Sequence, residues 1–159
     1  MNKKIVFCDS SVNPQEKIGF GAYLILDDLK SIDKSNIKTK LFYDTSSTKL
    51  ELETLLWALK NISEDTTKID VYTDCQNIIT LESRREKLEK SEYKTKTQKP
   101  IKNTELYKEF FKLLDSYEIN LYKVKGHKKT KIKDEIDKIF TLVDRASRKK
   151  LRTYKNCDQ

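Results

Sequence analysis

Histidine occurs once in these 159 residues, as His127, and cysteine three times, as Cys8, Cys75 and Cys157. The cysteine number is odd and no two form a CxxC pair. Both facts argue against a disulfide framework and a structural zinc site. Long apolar runs are missing too: no stretch reaches the ~18 residues of a membrane span. The start does not read as a signal peptide, because Met1-Asn-Lys-Lys leads straight into a short strand. The expectation is a soluble, cytoplasmic protein with no membrane partner. Repeats and low-complexity segments are absent, and nothing marks a second domain. Residues 1–159 therefore read as one domain, long enough for a sizeable core.

What the chain has is charge. Charged residues make up 36% and apolar residues 36%, so the core is compact and the surface heavily charged. The net charge is +8, and the excess is uneven. Residues 84–102 hold eight Lys or Arg against three Glu. Tyr122 to Lys133 carries six Lys and no acid, and Arg148 to Lys155 adds five basic residues. Such clusters attract polyanions, of which nucleic acid is the commonest. A solvated lysine-rich face would account for the same composition.

Apolar patterning predicts nine elements. Ile5 to Asp9 reads as a buried strand, followed by a turn over SSVNPQEKIG broken at Asn13-Pro14. Phe20 to Leu26 and Lys38 to Asp44 read as two more strands. Ser46, Ser47 and Thr48 offer N-cap chemistry to a helix whose core face is Leu52, Leu55, Leu56 and Leu59. Lys68 to Asp74 is a fourth strand. A second helix starts near Gln76 and turns charged and irregular after Leu81. Thr104 to Ser116 forms a third helix, Glu118 to Val124 a fifth strand, and Ile132 to Leu151 marks a long final helix. Cys8 and Cys75 fall within predicted strands, as small buried hydrophobes. The economical assembly is an α/β fold with a five-stranded mixed sheet. Its first three strands run antiparallel, the fourth and fifth add in parallel, and helices cover both faces.

Four acids stand at the edges of apolar segments: Asp9, Glu51, Asp74 and Asp144. A carboxylate beside core residues loses solvation and needs a compensating charge or hydrogen bonds. Several converging carboxylates are best tolerated around a divalent cation. An Asp at a strand end is more often a turn or cap residue when taken alone. Glu51 and Glu53 lie two apart and so point to nearly opposite helix faces. Glu51 borders the core, while Glu53 reads as a solvated residue or one facing the helix dipole. His127 follows Gly126 at a sheet edge, where proton-transfer work is plausible.

Together these motifs resemble the type 1 ribonuclease H family over nearly the whole chain. FCDSS resembles its first-strand Asp motif, and STKLELETLLWAL its helix-opening Glu motif. VYTDCQ resembles the fourth-strand Asp followed by Gln76. KPIKN, VKGH and VDRASR resemble the Asn, loop-His and last-helix Asp motifs. The resemblance implies a ribonuclease H-like fold and cutting of the RNA strand of an RNA–DNA hybrid by a monomer. It implies that Asp9, Glu51, Asp74 and Asp144 bind two Mg²⁺, with Mn²⁺ as a substitute, and that His127 assists proton transfer or product release. It further implies hybrid contacts from Ser10, Ser11, Asn13, Ser46, Ser47, Thr48, Gln76 and Asn103, with Lys94, Lys96 and Lys99 on phosphates.

The chain departs from the pattern in several places. Ser10 stands where glycine is usual, the glycine-rich first turn is reduced to Gly19 and Gly21, and the basic protrusion lacks tryptophans. The interval from His127 to the last acid is long, so Asp137 also fits the final position. Asp137 and Asp144 share a helix face, about 10.5 Å apart along the axis. Asp144 is favoured because small Ser147 and then Arg148 follow it three and four residues on. A catalytically silent binding module and a transposase or resolvase core are the competing readings. The first would be expected to lose a carboxylate, and the second lacks the loop His and KPIKN.

Overall fold

In the computed structural model, which describes residues 2–125 and 134–157, Lys3–Asn13 forms strand β1. Its side chains alternate between two cores. Val6 and Cys8 bury on one face, Ile5 and Phe7 on the other. A strand apolar on both sides belongs in the middle of a sheet. β1 occupies that place, flanked by β2 (Ile18–Leu26) and β4 (Lys68–Thr73). With β3 (Lys38–Phe42) and β5 (Glu118–Lys123) the order is β3-β2-β1-β4-β5. The first three strands pair antiparallel, and β4 and β5 add in parallel.

Helices α1 (Ser47–Lys60), α2 (Gln76–Lys90) and α3 (Thr104–Ser116) cover one face. They bury Leu52, Leu55, Leu59, Ile78, Leu81 and Phe110 against it. Helix α4 (Glu135–Cys157) covers the other with Ile139, Phe140 and Val143, against Ile5, Phe7 and Leu24. Gly19 and Gly21 lie in β2 beneath α1. A Cβ at Gly21 would collide with Thr54 Oγ1, and one at Gly19 with Leu50 Cδ2. The two glycines therefore let α1 lie closer to the sheet than side chains would permit.

Three expectations are corrected. β1 does not stop at Asp9. Serines and Val12 that read as turn continue the ladder, because β2 supplies partners as far as Asn13↔Ile18. The turn proper is residues 14–17, where Asn13 Oδ1 accepts the Gln15 and Glu16 amides and Lys17 takes a φ of 55°. Helix α2 does not become irregular after Leu81. It runs on to Lys90 because its charges are paired: Arg85 forks onto both carboxylate oxygens of Asp115 at 2.8 Å and reaches Glu89. Cys75 is not a strand residue but the position just before α2.

Candidate active site

The parallel pairing of β1 with β4 ends at Phe7↔Tyr72. Two residues further along each strand come Asp9 and Asp74, level with each other at the C-terminal ends of neighbouring parallel strands. Asp9 stays within β1 and is buried, while Asp74 sits just past β4 and is exposed. Glu51 reaches them from the first turns of α1, held in place by the close packing on Gly19 and Gly21. One oxygen from each of Asp9, Glu51 and Asp74 lies within 4.8 Å of the others.

Asp144 approaches from the opposite layer. It stands near enough to Asp9 to raise that carboxyl, though outside the three acids whose oxygens converge, and accepts from Arg148 Nε at 3.0 Å. Ser147, fully buried, donates to the Asp144 carbonyl at 2.9 Å and meets Ser11 Oγ at 3.1 Å, tying α4 to β1. Asp137 lies two turns earlier, hydrogen-bonded to Asp134. His127, the other candidate for proton chemistry, lies outside the described residues.

The electrostatics of the cluster are unfavourable as it stands. Burial pushes the Asp9 carboxyl well above the usual range, reinforced by Glu51, by neighbouring Asp144 and by Asp74. Burial raises Glu51 too, with Asp74 and Asp144 adding to it, while a bond from Ser10 works the other way. Glu51 Oε2 is buried and accepts no hydrogen bond. An orphaned carboxylate oxygen facing like charges is what a bound cation would satisfy, so the residues fit a divalent metal. Because the donors are all carboxylates, the metal they suit is a hard one. Cys8, behind the cluster, is fully buried with its thiol pushed up by that burial, which makes it an inert neighbour rather than a ligand.

The remaining candidates are distributed along the adjoining surface. Ser10 Oγ donates to Glu51 Oε1 at 2.7 Å, and Ser11 is engaged with Ser147. Ser46 caps α1 by accepting the Lys49 amide, with Ser47 and Thr48 exposed beside it. Gln76, exposed at the start of α2, accepts from Lys123 Nζ at 2.6 Å. Asn103 precedes α3 in the left-handed region, at φ 65°, which asparagine tolerates. Lys94, Lys96 and Lys99 are exposed on the loop between α2 and α3, where Lys94 bridges to Pro100. Asn13 is occupied by its own turn. Glu53 is half-buried rather than solvated, accepting from Thr45 Oγ1 at 2.6 Å. Lys123 as the holder of Gln76 was not readable from spacing, since its partner lies on another element.

A mixed sheet of this order, with carboxylates gathered where its central parallel strands end, defines the ribonuclease H-like class of α/β fold. Comparison with known proteins gives the same result. The RNase H family profile matches residues 1–145. A ribonuclease H of Clostridium botulinum is 31% identical over 143 residues, covering 87% of this chain and 93% of the relative. One from Acetivibrio thermocellus is 30% identical over 145 residues, covering 89% and 94%. One from Ruthia magnifica is 31% identical over 144 residues, covering 89% and 95%. The chain belongs to the RNase H family.

Proposed function

We propose that this protein is an endonuclease that hydrolyses the RNA strand of RNA–DNA hybrids at the Asp9–Glu51–Asp74–Asp144 cluster. The observation that carries the reading is the convergence of three carboxylates with an orphaned Glu51 oxygen, in a chain of this family. Asp9, Glu51, Asp74 and Asp144 would hold two Mg²⁺, with Mn²⁺ as a substitute. When bound, such ions supply a more acidic water and charge stabilisation at the leaving 3′ oxygen. The four carboxylates bind and orient. Burial of Asp9 and Glu51 keeps bulk water from screening the site, which strengthens every charge interaction inside it. His127 moves a proton at the leaving group or eases product release.

Substrate is held by the surface around the cluster. Ser46, Ser47 and Thr48 present hydroxyls and Gln76 and Asn103 present amides, groups that can read 2′-hydroxyls and sugars. Lys94, Lys96 and Lys99, with the lysines from Lys123 to Lys133, track phosphates. Among the described residues no helix is long and apolar enough to cross a membrane.

The test is to incubate the protein with end-labelled RNA–DNA, RNA–RNA and DNA–DNA duplexes, with Mg²⁺ or with EDTA. Cleavage confined to the RNA of the hybrid, lost in EDTA and lost in Asp74→Asn with the fold intact, is the expected result. Equal cutting of all three duplexes, or cutting in EDTA, would refute the proposal.

A further inference from the structure

We propose that Ser10 is a positioning residue for Glu51: its hydroxyl holds one carboxylate oxygen so that the other is presented to the cation site. The proposal rests on the reading of the cluster as a metal-dependent nuclease centre and assigns a new role within it.

The geometry is specific. Ser10 follows Asp9 in β1, and side chains alternate along a strand, so Ser10 leaves the sheet on the side of Val6 and Cys8, where α1 packs. Opposite Ser10 on β2 stands Gly21, whose missing side chain lets α1 approach. At that distance Ser10 Oγ donates to Glu51 Oε1 at 2.7 Å, leaving Oε2 buried and unpartnered. Ser10 thus bonds one of the clustered acids, Glu51, and adjoins another, Asp9, in the same strand.

A glutamate carboxylate turns about a broad terminal torsion, and nothing in α1 itself selects one setting. A charge-assisted bond to a single oxygen does select one. The same bond argues against Ser10 as a donor to substrate, since a hydroxyl has one proton and Glu51 already takes it. Glycine, the residue the family pattern sets at this position, offers no such bond. Ser11 points to the opposite face and is engaged with Ser147, so the role belongs to Ser10 alone.

The experiment compares wild type, Ser10→Ala and Ser10→Thr. Calorimetric titration with Mg²⁺ and with Mn²⁺ measures cation affinity, and steady-state hydrolysis of a hybrid measures kcat and KM. Thermal melting confirms that each variant folds. Ser10→Ala is expected to bind cations about tenfold more weakly, the weight of one charge-assisted bond. Its kcat at a fixed subsaturating Mg²⁺ concentration should fall by a similar factor, with KM for the hybrid unchanged. Ser10→Thr keeps the hydroxyl and should restore both. Wild-type cation affinity in Ser10→Ala would overturn the proposal, as would a raised KM with kcat intact, which marks a substrate contact. Wild-type protein that binds no cation and cuts no hybrid would overturn the nuclease reading itself, a result distinct from either.

Discussion

Asp134 and Asp137 cap each other at the start of α4. The Asp137 amide donates to Asp134 Oδ1 at 2.9 Å, and the Asp134 amide donates to Asp137 Oδ2 at 3.4 Å. This reciprocal arrangement satisfies amides that open a helix. It gives Asp137 a structural use at a helix end, while Asp144, two turns on, lies beside Asp9 and helps raise its carboxyl.

The two acids should therefore separate in mutants. Asp144→Asn is expected to lower the single-turnover rate by on the order of 10²-fold, about 3 kcal/mol of transition-state stabilisation. Asp137→Ala should leave the rate near wild type but lower unfolding stability by about 1 kcal/mol, the usual worth of a cap. The opposite ranking in rate would place the last carboxylate of the site at Asp137.

Stability of the cation-free protein should fall as pH rises. Unfolded Asp9 and Glu51 ionise near their ordinary values of 3.8 and 4.5. Folded, both are raised, so the folded state binds more protons than the unfolded state between the ordinary and the raised values. Stability is then fullest below the ordinary values and is lost through that window, by at most about 1.4 kcal/mol per pH unit per group. Melting in EDTA at about pH 5.5 and about pH 8.5 checks the sign. Excess Mg²⁺ should shrink the difference, because it stabilises the ionised carboxylates. A cation-free protein that gains stability across this interval would contradict the buried cluster.

Gly21→Ala should destabilise and inactivate together. The added methyl meets Thr54 and pushes α1 off the sheet, at about 1–3 kcal/mol for overpacking. Glu51 moves with the helix. In a double-mutant cycle, Thr54→Ala should recover part of both losses, since it removes the atoms the methyl strikes. Additive effects on stability and rate would show that the contact is not the cause.

Neutralising Lys94, Lys96 and Lys99 together should weaken hybrid binding and flatten its salt dependence, by about one unit of log–log slope per lost phosphate contact. All three are exposed and none belongs to the core, so melting should be unchanged. Affinity and slope equal to wild type would make the loop a solvated face only.

Local pattern carried most of the architecture. The apolar alternation of Ile5 to Cys8 marks a two-sided strand, and Thr104–Ser116 is bounded where its Leu and Phe spacing says. Asp9, Glu51 and Asp74 stood out because each borders an apolar segment. What was illegible depends on partners far along the chain. β1 runs past Asp9 because β2 pairs with it, and α2 stays regular because Arg85 finds Asp115. By sequence, Gly19 and Gly21 are what is left of a glycine-rich first turn. They serve instead as clearance for α1, with no positive φ at either. Ser10 and Ser11 read as substrate contacts, and their bonds to Glu51 and Ser147, on opposite faces of the sheet, depend on partners that spacing does not reveal.

The acids of the cluster come from β1, α1, the end of β4 and α4, so Asp9 and Asp144 lie almost a whole chain apart. Bringing them together requires the most non-local closure in the molecule, which topology makes slow. On the proposed reading, a growing polypeptide should carry no hydrolytic capacity until α4 has docked. After dilution from denaturant, regain of cutting should lag regain of helical and sheet signal by circular dichroism. The proposed hydrolysis would then time the docking of α4, and chains ending before α4 would lack it.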